Sequence, residues 1–345
     1  MQDNLATPTS STQENLTSLT DSALPNVEVF GTGGTISGGS NSATDVTDYQ
    51  SGEFSVQSLL ENVPEIAQVA NISATQVTNT SSSDITSDIL LSMSKRANAL
   101  LHGNVSGIVI THGTNTMEET AFFLELTAQT AKPIVLVGAM RPATAISADG
   151  PMNLLNAINL AASPDAVSRG VMIALNDYIG SAFYISKTHS TSLDTFKAPD
   201  QGYLGQFVGG KAKFYYEPSR VNGLANFDVT AMDQLPEVNI LYCYQDISEK
   251  HLNAMIEAGS DGLVIATSGN GSVPTHVKSK LQELKTQGYP IVLSTRTGNG
   301  YVTHKDFAIA SGFLNPQKAR ILLMLALTKT KQIDEIERLF GTQEV

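Results

Sequence analysis

Short runs of this chain are apolar at nearly every position: VEVF at 27–30, GIVI at 107–110, PIVLVG at 133–138, VMIAL at 171–175, NILYCY at 239–244, GLVIAT at 262–267 and PIVLS at 290–294. A strand that shows apolar side chains on both pleats must be covered on both faces, as in a parallel sheet sandwiched by helices. Helical spacing lies between the runs. Residues 86–101 place Ile89 or Leu90, Met93, Ala97 and Leu100 or Leu101 on one stripe, and 116–128 carry Met117, Phe122, Leu124 and Leu126. Asp149 before Pro151 and Asn315 before Pro316 are start signals for two more helices. The pattern predicts an α/β fold with largely parallel sheets.

At 345 residues the chain is long enough for two domains. The strand-helix rhythm lapses over 176–236, a stretch rich in Gly, Ser, Thr, Tyr and Phe that reads as extended pieces followed by a connector. The expected division is a polar, disordered lead-in at 1–23, a larger N-terminal α/β domain at 24–215, a connector at 216–235 and a smaller C-terminal α/β domain at 236–345. The lead-in has neither a basic segment nor an apolar core, so it reads as a disordered start or as what remains after a leader is removed.

A formal charge of −12 opposes any partner held by phosphate charge, which argues against nucleic acid. No run reaches the ~18 apolar residues of a membrane span. Asn-x-Ser/Thr motifs at Asn15, Asn71, Asn79, Asn104 and Asn270 permit an extracytoplasmic origin, although a glycan on Asn270 would obstruct a suspected active loop. Cys243 stands alone within NILYCY and is expected to be an inert buried thiol.

Two loops at strand ends carry the candidate chemistry. GTGGTISGG follows the first strand at once, and its glycines permit a tight turn while Thr32 and Thr35 bring hydroxyls. It fits neither G-x-G-x-x-G nor a phosphate-binding Gly-Lys-Ser/Thr loop, which leaves a hydroxyl-bearing catalytic loop or a plain turn ahead of nucleotide binding. THGTNTMEET at 111–120 offers Thr114 and Asn115, either as chemistry or as a helix cap, with Glu118 and Glu119 suiting the helix's positive end. Lys187 in YISKTHSTS reads by itself as a solvated lysine, and Tyr49 in TDYQSG as ordinary. The histidines form no compact metal-ligand pattern. No metal and no cofactor are expected.

FGTGGTISGG, THGTNTMEET, GAMRPATAISADGPMNL, SLDTFKAPDQGYLG and LNPQKARILLMLALTKT, in this order, resemble the secreted-type (type II) L-asparaginases of bacteria and fungi, including the glutaminase-asparaginases. The resemblance covers about residues 24–345. It implies a two-domain asparaginase-like architecture, a homotetramer of close dimers, and a secreted, periplasmic or cell-wall location, with a cytoplasmic one also compatible. Matched residue by residue, Thr35 corresponds to the nucleophilic threonine, Tyr49 to the flap tyrosine, and Thr114 and Lys187 to the second threonine and its lysine. Ser82 corresponds to a serine that holds the substrate carboxylate, and Asn270 to an asparagine contributed across the subunit boundary. The implied reaction is hydrolysis of L-asparagine to L-aspartate and ammonia, with glutaminase side activity.

Three departures accompany the resemblance. Asn115 stands where the family has an aspartate, Ser83 replaces a glutamine of the substrate-binding loop, and GNGYVTHKDFAIASG provides no match to the glutamate supplied by the adjacent subunit. An amide at 115 accepts a hydrogen bond from a cation but cannot neutralise it. The expectation is therefore a weakened hydrolase. The alternatives are a disabled form that binds amino-acid ligands, or unrelated binding or structural use.

Overall fold

The computed structural model describes residues 23–221 and 223–341. The lead-in up to residue 22 and the motif at Asn15 lie outside them. The strands of the first part are β1 (Asn26–Gly33), β2 (Asn71–Thr80), β3 (Gly107–Thr111), β4 (Ile134–Val137), β5 (Val171–Leu175), β6 (Tyr178–Ser181), β7 (Ser186–Lys187), β8 (Phe196–Lys197), β9 (Gly205–Val208) and β10 (Lys211–Phe214), with helices α1 (Val56–Glu61), α2 (Ser87–Leu101), α3 (Met117–Thr127) and α4 (Gly150–Ala162). The second part holds β11 (Val238–Tyr242), β12 (Gly262–Thr267), β13 (Ile291–Thr295) and β14 (Ile309–Ala310), with α5 (Lys250–Glu257), α6 (Thr275–Thr286), α7 (Pro316–Leu327) and α8 (Ile333–Phe340).

Among the described residues, eight strands form one sheet in the order β10-β9-β6-β5-β4-β3-β1-β2. From β2 to β5 every pairing is parallel, and β6, β9 and β10 extend the edge antiparallel. The second sheet, β11-β12-β13-β14, is parallel throughout. This is the two-domain α/β architecture that the unbroken apolar runs require. The interval 176–236 supplies β6 to β10 as short antiparallel pieces, too short and too polar to show a period in sequence.

Alternate residues of the central strands enter opposite cores, as the two-residue pleat demands. Phe30, Ile108, Ile110, Leu136 and Ile173 pack towards α2, α3 and α7, while Val29, Val109, Val135, Val137 and Met172 pack towards α1 and α4. The first of these cores is shared between the domains. It includes Ile321, Leu322 and Leu325 of α7 together with Val264 and Val292 of the second sheet, so α7 touches α3 on one side and β11, β12 and β13 on the other. Fully burying one Leu, Ile or Phe contributes about 1.5–3 kcal/mol, so this seam behaves as core.

Asp149 and Asn315 do stand at the starts of α4 and α7, each with proline in the first turn, while two local details lie outside the sequence pattern. Asp149 precedes α4 but makes no side-chain cap bond there; its carboxylate accepts the amides of Met140 (3.0 Å) and Arg141 (2.9 Å) instead. The strand β2, NISATQVTNT, is absent from the apolar runs because it is an edge strand paired with β1 alone, and its side chains are exposed or half-buried. Asn315 does cap α7, accepting from the Lys318 amide at 2.9 Å. Cys243 is buried, and burial pushes its thiol up. No helix among the described residues is long and apolar enough to cross a membrane.

Candidate active site

Backbone contact brings the two strand-end loops together. Thr32 Oγ1 donates to the Thr111 carbonyl (2.8 Å), tying β1 to β3 where both strands end. Gly34 then takes φ +82°, and a Cβ there would lie 2.3 Å from the backbone N and Cα of Gly113. A Cβ on Gly113 would lie 2.9 Å from Ser82. Only glycine permits this approach, which sets Thr35, Thr114 and Ser82 on adjoining backbone. Thr35 opens a single 3-10 turn, Thr35–Ser37, and is buried.

Tyr49 comes from the segment after that turn. The amides and carbonyls of Gly39 and Gln50 bond reciprocally (3.1 and 2.9 Å), closing the segment so that the Tyr49 hydroxyl lies 2.6 Å from Thr35 Oγ1. Either oxygen can be the donor.

The second hydroxyl has a different support. Lys187 lies in β7, which pairs antiparallel with β8. Its Nζ donates to Thr114 Oγ1 (2.9 Å) and to Asn115 Oδ1 (2.8 Å). Thr114 therefore does not cap α3. Thr116 occupies the cap position, and its hydroxyl donates to the Ser82 carbonyl (2.6 Å). Burial pushes the Lys187 ammonium below the usual lysine range, and the Glu118 carboxylate partly opposes that shift. Glu118, in the first turn of α3, accepts the Lys187 amide at Oε2 (3.0 Å). Beneath the loop lies His112, held neutral with its pKa lowered to about 4 by burial. Its Nδ1 bonds the Gly113 carbonyl (2.7 Å) and its Nε2 faces the Thr120 hydroxyl (2.9 Å).

Thr35, Tyr49, Thr114, Asn115 and Lys187 line one cavity of about 850 Å³, with Met140, Arg141, Asn176 and the 190–194 loop on its far side. Ser82 is buried directly behind Gly113. Ser83 is exposed, and its amide faces Ser81 Oγ at 3.4 Å. Asn270 is not brought to this cavity. It is exposed on the second domain, where it bonds Thr303 (3.0 Å from Nδ2, 2.8 Å at Oδ1). Among the described residues no cluster of three or more His, Cys, Asp or Glu could hold a metal.

The chemistry such a site offers is attack by a hydroxyl whose proton has two outlets: a phenol at hydrogen-bond distance, and a second hydroxyl backed by a lysine of depressed pKa. Sequence reading overlooked the supports: the Asp149 carboxylate that pins the 140–141 loop, Glu118, and Asn315 and Lys318 of α7. Asp149 and Asn315 show only cap signals, Glu118 shows only a favourable charge at a helix start, and nothing in the sequence marks Lys318.

Comparison with known proteins gives one result across the chain. The family models described as "Asparaginase, N-terminal" and "Glutaminase/Asparaginase C-terminal domain" match residues 26–220 and 237–340. L-asparaginase 2 of Bacillus subtilis is 46% identical, covering 92% of this chain and 86% of its own length, and L-asparaginase 2-3 of Saccharomyces cerevisiae is 46% identical, covering 93% and 91%. A crystal structure described as a probable cytoplasmic L-asparaginase from Campylobacter jejuni superposes with a TM-score of 0.89 at 44% identity, over 92% of this chain and all of that one.

Proposed function

The chain belongs to the asparaginase family of amidohydrolases, and from that premise we propose that it hydrolyses L-asparagine to L-aspartate and ammonia with Thr35 as nucleophile. One observation carries the assignment of residues: the Thr35–Tyr49 and Thr114–Lys187 pairs line the same cavity. Thr35 Oγ attacks the side-chain amide carbon and its proton leaves through Tyr49 or through Thr114 to neutral Lys187. The tetrahedral intermediate collapses with protonation of the departing nitrogen, giving ammonia and an ester on Thr35. Water adds to the ester, the proton returns to Thr35 Oγ, and aspartate is released.

Asn115 is the departure expected to weaken the reaction. Its Oδ1 keeps the hydrogen bond to Lys187, so the geometry of a carboxylate survives there while its charge does not. That supports a weakened hydrolase over a binding protein. Ammonia release from L-asparagine, L-glutamine, their D-forms and a simple dipeptide tests the reading: asparagine is expected to lead. No release from any of them, with asparagine still bound, would leave the disabled form standing.

Ser82 is the proposed contact for the substrate carboxylate, with Ser83 beside it. Asn270 is proposed to complete the site of a neighbouring subunit within a tetramer, a role supported by its exposure and by its absence from the lining of its own cavity. Light scattering under assay conditions checks this, and a stable, fully active monomer would exclude it.

A further inference from the structure

Residues 183–187, the segment that delivers Lys187, are held from both domains. Lys318 of α7 is completely buried and donates its Nζ to the carbonyls of Phe183 (2.9 Å) and Ile185 (2.7 Å). Asn315, the cap of α7, donates to Ser186 Oγ (3.1 Å). Glu118 stands at the centre. Its Oε2 accepts the Lys187 amide, and its Oε1 accepts from Asn315 Nδ2 (3.3 Å) and Gln317 Nε2 (3.1 Å). Three N–H groups converge on a side chain that is only 4% exposed, and a group accepting at both oxygens is what fills that place.

We propose that Glu118 is a positioning residue for Lys187: it fixes the lysine's backbone against the first turn of α3, supplies the nearby carboxylate that Asn115 lacks, and is itself set in place by α7 of the second domain. The inference rests on reading Lys187 as the proton carrier. The groups that face the lysine are Thr114, Asn115 and Glu118 from the α3 side, Lys318 from α7, and Tyr49, Arg141 and Asp194 around the cavity, with His189 two residues along. Of the two carboxylates among these, Asp194 is paired with Lys197 at 2.7 Å. The hydrogen bonds to Glu118 come from neutral N–H groups, which leaves its charge to act on the two lysines beside it, Lys187 and the buried Lys318. In keeping with this, Glu118 is the group that raises the Lys187 pKa against burial.

The test is the pH profile of asparagine hydrolysis. In Glu118→Gln, loss of the charge lowers the Lys187 pKa further, so the rising limb of kcat should move to lower pH by about one unit. Loss of one backbone or side-chain partner should lower plateau kcat by tenfold or more, with KM changing less. Glu119→Gln, on the same helical turn, should leave the limb in place. Should Glu118→Gln not fold, Gln317→Lys places a cation against Glu118 without removing it and should shift the limb the same way. A folded Glu118→Gln or Gln317→Lys protein with an unmoved limb overturns the proposal. Full activity in Lys187→Met would instead overturn the assignment of Lys187 on which it rests.

Discussion

The two hydroxyls of the site are built by different means. Thr35 and its partner Tyr49 are placed by backbone: positive-φ glycine, a Gly34–Gly113 approach that leaves no room for a Cβ, and a reciprocal Gly39–Gln50 pair, all within the first domain. Lys187, which holds the Thr114 hydroxyl, is placed by side chains, through buried and half-buried polar bonds that reach Asn315, Gln317 and Lys318 of the second domain. Steric placement tolerates no change of shape but is indifferent to charge. Polar placement is sensitive to charge, because an unpaired group in a buried network loses its partner without regaining water. On the proposed assignment, the attacking side of this site is thus fixed by shape, and the proton-handling side is tunable.

The largest expected effect lies on the attacking side. Thr35→Ala removes the reacting oxygen without disturbing the glycine contacts, so the protein should fold and lose about a thousandfold or more in kcat, on the order of 4 kcal/mol. Ammonia release by purified Thr35→Ala checks it, and adding Asn115→Asp should restore nothing. Activity surviving in Thr35→Ala would break the comparison by moving the nucleophile elsewhere.

Acid should act on the other side, through His112. Its native pKa of about 4 lies below the ordinary value of 6.5, so the unfolded chain binds the proton first. The stability tied to a neutral His112 is complete above pH 6.5 and is lost as pH falls from there towards 4, a total on the order of 3 kcal/mol. Urea unfolding between pH 7 and 4 measures it. His112→Gln should flatten that part of the decline, and an undiminished slope in the variant would assign the acid sensitivity elsewhere.

The smallest expected effect is a gain. Asn115→Asp puts a carboxylate where Asn115 Oδ1 already accepts from Lys187, and should raise kcat/KM for L-asparagine by roughly tenfold or more, about 1.4 kcal/mol. Steady-state kinetics decide it. An unchanged rate in a folded, asparagine-binding variant would show that the charge missing at 115 is already supplied, with Glu118 the nearby candidate.

The legible parts of the sequence follow the same division. β3, β4, β5, β12 and β13 announce themselves because both pleats are buried, which forces an unbroken apolar run. β2 carries no such signal because it has a neighbour on one side only, and its side chains are exposed or half-buried. The glycine loop signals a tight turn, but its partner Gly113 becomes meaningful only once β1 and β3 are known to be adjacent. Lys187 reads by itself as a surface lysine, and the family resemblance alone raised it. Glu118 reads as a favourable charge at a helix start; its bonds to Asn315 and Gln317 span 197 and 199 residues, and no local pattern encodes that distance. Chemistry carried by backbone leaves a local trace in the sequence, whereas chemistry carried by long-range polar contact does not.

The core that α7 shares between both sheets also imposes an order in time. Synthesis runs from the N-terminus, so the loops bearing Thr35, Thr114 and Lys187 leave the ribosome well before α7, whose Lys318 grips the carbonyls ahead of the lysine. A nascent chain can close its glycine-packed half early, while the lysine's shelf waits for almost the last helix to be made. On the proposed roles, competence for proton transfer is therefore a late event in the life of each molecule, and a polypeptide cut short before α7 would hold Thr35 in an unfinished site.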